Sequence, residues 1–129
     1  MLVELTQENC RVTLIRDDIV LADCWASSCG ACKVLGPIYA KVAEMHPQHT
    51  FAKLDTLVED DLTSALDIVN VPTLLLYRDG ILLFKQEGNF DEARLEDIIA
   101  QAEAIDMDAV RAEMEREGTE VPQPREGGH

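Results

Sequence analysis

Four cysteines carry the reactive chemistry of this 129-residue chain, and two of them, Cys29 and Cys32, stand two small residues apart in the run Asp23-Cys24-Trp25-Ala26-Ser27-Ser28-Cys29-Gly30-Ala31-Cys32. A pair at this spacing can close a small disulfide. The apolar run before it and the helical periodicity after it place Cys29 at a helix start, where free amides and the helix dipole favour a thiolate. An unperturbed thiol titrates near ~8.5, so such help raises the thiolate fraction at neutral pH. Cys29 is therefore read as the nucleophile and Cys32 as its resolving partner. The competing chemistry is structural zinc, with Cys24 as a third sulfur. A zinc site ordinarily closes with a second ligand pair. The remaining candidates are the isolated Cys10 and two neighbouring histidines, His46 and His49, so no metal is expected here and the strand-helix-strand setting favours redox use. Both histidines are read as exposed loop residues.

Asp23 is the second residue with chemical potential, because it is the only charge in the apolar run Ile19 to Trp25. Burying a carboxylate costs several kcal/mol unless it is paired or protonated. Either it sits at an edge facing water, or it is a buried acid of raised pKa able to move protons for the cysteines. Its place on the same strand face as Trp25 favours burial.

The elements that must position these groups follow from periodicity. Leu2 to Leu5 reads as an edge strand and Thr6 to Ile15 as a helix, with Cys10 a small packing residue inside it. Ile19 to Trp25 is a buried strand. The next helix runs from Cys29 to Met45 with Val34, Ile38 and Val42 one turn apart, flanked by Leu35 and Tyr39, and Pro37 is expected to kink it. Thr50 to Asp55 then forms a strand parallel to the first core strand, and Asp60 to Leu66 a short helix. Pro72 opens the strand Thr73 to Arg78, at a position where a cis bond costs only ~0.5 to 1 kcal/mol. Asp79-Gly80 is a two-residue hairpin signal that makes Ile81 to Lys85 antiparallel to it, so the sheet is mixed. Asp91 caps a closing helix that packs Leu95, Ile98, Ile99 and Ala102.

Length allows one domain, 1–104, followed by an extra amphipathic helix within 105–118 built on Met107, Val110 and Met114. The stretch 119–129 is expected to be disordered, and its Gly-Gly-His end is compatible with a tag remnant. Net charge is -14, which argues against nucleic acid or an anionic membrane as partner. No basic-then-apolar leader and no apolar run of ~20 residues is seen, so a cytoplasmic location is expected, where a CxxC pair is more often catalytic than structural.

Taken together, Ala22-Asp23-Cys24-Trp25-Ala26, Cys29-Gly30-Ala31-Cys32-Lys33, Pro37, Lys53, Val71-Pro72-Thr73, Asp79-Gly80 and Gly88 resemble the thioredoxin family over about Val3 to Ala104. The resemblance implies an α/β thioredoxin fold, a mixed central sheet with helices on both faces, here with a C-terminal helical extension. It implies a protein-disulfide reductase without a bound cofactor, acting as a monomer on disulfide-containing proteins and recharged by a thioredoxin-reductase-like donor. It further implies that Asp23 helps Cys32 lose its proton with Lys53 nearby, that Pro72 is cis, and that Val71 pairs with the substrate backbone. Trp25, Gly30, Ala31 and Gly88 then share the substrate-facing surface. Three residues depart from the family pattern: Ser28 and Cys24 stand where aromatics are usual, and Ala31 where proline is usual. Alanine supplies an amide that proline lacks, expected to point toward the Cys29 thiolate. An alternative is an interaction module of the same fold that grips a partner through its acidic C-terminal extension.

Overall fold

The computed structural model describes residues 2–16 and 18–118. The expected disordered segment 119–129 lies outside them. Five strands form one sheet: β1 (Leu2–Glu4), β2 (Ile19–Trp25), β3 (Thr50–Asp55), β4 (Thr73–Arg78) and β5 (Ile81–Glu87), in the spatial order β1-β3-β2-β4-β5. β1, β3 and β2 run parallel and β4 and β5 antiparallel. Asp79 and Gly80 join the last pair with φ of 55° and 78°. Two positive values are what a two-residue turn between right-twisted strands requires.

Both faces of the sheet are covered, which is why β2 reads as a nearly unbroken apolar run. Strand residues alternate between faces. On one face Leu21, Phe51, Leu74 and Leu76 pack against α2 (Gly30–Met45) and α4 (Glu92–Ala104) through Leu35, Tyr39, Val42, Leu95 and Ile99. On the other, Val20, Ala22, Cys24, Leu54 and Leu75 meet α1 (Cys10–Leu14) and α3 (Asp60–Ala65). The buried Tyr39 hydroxyl donates to the Ala52 carbonyl at 2.8 Å, tying α2 to β3. Asp91 caps α4 by accepting from the Arg94 amide.

Three expectations need correction. The first helix starts at Cys10, not Thr6: the Thr6 amide donates to Asn9 Oδ1 and the Asn9 amide to Thr6 Oγ1, so these four residues close on themselves as a turn. The buried face of α2 is the stripe Leu35, Tyr39, Val42 and Ala43, while Val34 is 67% exposed. His46 and His49 are not exposed loop residues; their side chains are 17% and 8% accessible and stack on each other. A final helix, α5 (Met107–Arg116), is present, and it buries Met107. Arg111 on α5 reaches Asp79 of the β4–β5 turn at 3.1 Å.

Candidate functional site

β2, the central strand, ends at Trp25, three residues carry the chain over the end of the sheet, and Cys29 becomes the N-cap of α2. A residue in that position turns its side chain back over the first turn of the helix, where three or four amides have no partner of their own. The amide that reaches Cys29 Sγ belongs to Cys32, at 3.1 Å. The expectation that Ala31 supplies this donor is therefore corrected: an N-cap side chain meets the second or third helical amide according to local geometry, and here it meets the third. Cys29 and Cys32 are joined as a disulfide with a Cα–Cα distance of 5.3 Å. Cys29 is half-buried and Cys32 is 5% exposed. An attacking substrate can thus touch the first sulfur and not the second.

Val71 and Pro72 come up beside the pair through a cis peptide bond. The Val71 carbonyl oxygen is 3.7 Å from Cys29 Sγ. The Gly88 amide donates to the Pro72 carbonyl at 3.1 Å, and with φ of 120° it holds a backbone conformation that favours glycine. Gly30 is exposed and Ala31 half-buried in the two-residue link between the cysteines. The structure therefore gathers Cys29, Gly30, Ala31, Val71, Pro72 and Gly88 around one sulfur.

Asp23 lies deeper, fully buried on the α2 side of the sheet, with neither carboxylate oxygen hydrogen-bonded. Burial pushes its pKa up to about 6, against a smaller downward pull from Lys53. Lys53 is Asp23's register partner on β3, and its Nζ sits 5.0 Å from the centre of the Trp25 ring. Trp25, Ala26, Ser27, Cys32, Gly36 and Lys53 line a crevice beside the buried cysteine. Asp23 thus combines burial with ionisability, and its register partner Lys53 lines the crevice that Cys32 also borders.

The other two thiols have a different character. Cys10 and Cys24 are buried and free. Cys24 is pushed up to about 12, first by burial and then by the Asp23 charge. Such thiols stay protonated and pack as small apolar groups. Among the described residues no helix is long and apolar enough to cross a membrane.

Comparison with known proteins agrees with this geometry. The thioredoxin family model matches residues 1–101. A Streptomyces coelicolor protein provisionally named thioredoxin 2 is 45% identical over 109 residues, covering 84% of this chain and 81% of that protein. Thioredoxin-1 of Saccharomyces cerevisiae is 34% identical over 89 residues, 69% of this chain and 86% of its own length. Among solved structures, a mutant thioredoxin from Halobacterium salinarum superposes with a TM-score of 0.72 at 33% identity, covering 78% of this chain and 88% of that one.

Proposed function

This chain belongs to the thioredoxin family, a thiol-disulfide oxidoreductase with a CxxC active-site pair, and on that premise we propose the division of labour within its site. Family members act on disulfide-bearing proteins and are recharged by a reductase. Here the Cys29 thiolate attacks one sulfur of a substrate disulfide, forming a mixed disulfide and expelling the other substrate sulfur as a thiolate that takes up a proton. Cys32 then loses its proton to ionised Asp23 and attacks Cys29 Sγ. The second substrate thiol leaves, and two electrons have moved from the dithiol to the substrate.

The observation that carries this assignment is the Cys32 amide donating to Cys29 Sγ at a helix start, while Cys32 itself is 5% exposed. A hydrogen bond to a charged acceptor is worth roughly 1.5 to 3 kcal/mol when well formed, so it favours the thiolate on the outer sulfur. Asp23 and Lys53 serve proton transfer to and from Cys32. Trp25, Gly30, Ala31, Val71, Pro72 and Gly88 receive the substrate chain, with Val71 offering its backbone. The domain is the segment 1–104, and two buried free thiols, Cys10 and Cys24, suit a reducing compartment such as the cytoplasm.

The test is mixed-disulfide trapping. Cys29→Ser should abolish reduction of a model protein disulfide, and Cys32→Ser should accumulate substrate bound through Cys29. Equal trapping by both variants overturns the assignment.

A further inference from the structure

At the far end of the sheet from Cys29, the loop between α2 and β3 brings two imidazoles against the end of α4. The His49 amide donates to the His46 carbonyl at 3.1 Å, fixing both residues in one turn. Their rings lie 15° from parallel with centroids 5.9 Å apart. Glu103, in the last turn of α4, places a carboxylate oxygen 2.8 Å from His49 Nε2. One ring nitrogen of each histidine and one Glu103 oxygen all fall within 4.8 Å of one another. We infer that His46, His49 and Glu103 form a binding site for a divalent transition-metal ion, with Zn2+ the best match to two imidazoles and one carboxylate.

Donor chemistry comes first: nitrogen and carboxylate oxygen in a three-ligand set is a recurrent zinc arrangement, completed by water. Bond lengths of ~2.0 to 2.2 Å in a tetrahedron put ligand atoms about 3.3 Å apart. Drawing in from 4.8 Å asks for about 1.5 Å of movement at side-chain tips. Outer partners are also in place. Asp18 Oδ1 faces His49 Nδ1 at 3.3 Å, so the tautomer with its proton on Nδ1 leaves Nε2 free to ligate beside Glu103. Glu96 Oε1 holds His46 at 2.6 Å, and the same carboxylate leaves Oε2 buried without a partner. Carboxylates behind histidine ligands orient the ring and strengthen it as a donor.

Charge points the same way. Three carboxylates, Asp18, Glu96 and Glu103, surround two imidazoles, beside a helix C-terminus that adds its own negative end. Arg78, the cation in the same groove, is committed to the backbone carbonyls of Ala102, Glu103 and Ile105. A divalent ion would neutralise what the imidazoles leave unbalanced. The length of β2, seven residues, separates the site from the redox pair by about 20 Å. Metal binding should therefore stabilise the fold without entering thiol exchange.

The test is calorimetric titration of ZnCl2 into the full chain with the Cys29–Cys32 disulfide closed, so that the reactive thiols cannot ligate. One equivalent should bind and raise the melting temperature. Glu103→Gln, on an exposed helix turn, should keep the metal-free melting temperature and the rate of disulfide reduction while losing at least tenfold in affinity. His49→Gln should do the same to binding, and Asp18→Asn should weaken it by roughly 10- to 100-fold. Co2+ in place of zinc should give visible bands without sulfur-to-metal charge transfer. No saturable binding by the parent chain, or binding that Glu103→Gln and His49→Gln leave intact, overturns the proposal.

Discussion

Asp23 makes a measurable commitment about stability. Its carboxyl is fully buried with both oxygens unpaired, and its pKa stands at about 6 against an ordinary 3.8. Because the folded value is the higher, the native state holds a proton that the unfolded chain has released. The stabilisation is therefore complete below about pH 4 and is lost as pH rises through about 6. A shift of roughly two units at ~1.36 kcal/mol each amounts to about 3 kcal/mol over the whole range, of which about 1.4 kcal/mol falls between pH 5 and pH 8. That is a large share of the ~5 to 15 kcal/mol that holds a domain together.

The perturbation is Asp23→Asn, close to isosteric and unable to ionise. Unfolding free energies of both proteins are measured in urea at several values from about pH 5 to about pH 8. The disulfide is kept closed so that Cys29 and Cys32 do not titrate. The difference between variant and parent should grow by about 1.4 kcal/mol over that range in favour of asparagine. Its absolute value is less informative, since a buried amide without partners carries a penalty of its own, roughly 1 to 3 kcal/mol. A difference that is flat with pH, or that shrinks as pH rises, refutes a raised Asp23 pKa. In the reduced enzyme the same variant should resolve mixed disulfides more slowly near neutral pH, since the base for Cys32 is gone.

Three further outcomes are expected. Lys53→Met removes the one charge that lowers the Asp23 pKa, so the midpoint of the pH-dependent stability should move above about 6, read from the same urea series; an unchanged or lower midpoint counts against the pairing. Ala31→Pro removes an amide that does not bond the sulfur, whereas the Cys32 amide does; the Cys29 pKa should move by well under the ~1 to 2 units that losing a charge-assisted bond would cause, measured by thiolate absorbance. Ending the chain at Ile105 strips off Met107, which is 5% exposed, and should cost about 2 kcal/mol in urea unfolding while leaving reduction of a generic protein disulfide intact.

What was legible in the sequence was whatever depends on neighbours along the chain. The strand β2 and its one charge could be read because a carboxylate inside an apolar run has few places to go, and alternation alone puts Asp23 on the Trp25 face. The hairpin at Asp79-Gly80 was legible because only a few residue types accept positive φ. The α2 face was not. Val34, Ile38 and Val42 form one plausible stripe and Leu35, Tyr39 and Val42 another, displaced by a fraction of a turn. Which one is buried depends on how the helix leaves Cys29 and meets the sheet, and the Tyr39 hydroxyl bond to Ala52 helps hold the choice.

The same distinction separates the two chemical centres. Cys29 and Cys32 announce themselves at a spacing of three, but the cap rule allows an N-cap side chain either the second helical amide, Ala31, or the third, Cys32, and only the helix geometry selects Cys32. His46 and His49 look like loop histidines because their partners, Glu96 and Glu103, lie 50 and 54 residues further on. Nothing within the loop itself hints at burial. A signal was nonetheless present in α4: its buried residues Leu95, Ile99 and Ala102 fix the face turned to the sheet, and Glu96 and Glu103 are each one residue from that face, seven apart, two turns along the helix. Two carboxylates in line on the flank of a packed helix must face something. Once α2 and α4 are placed on the same side of the sheet, the end of α2 is what they face.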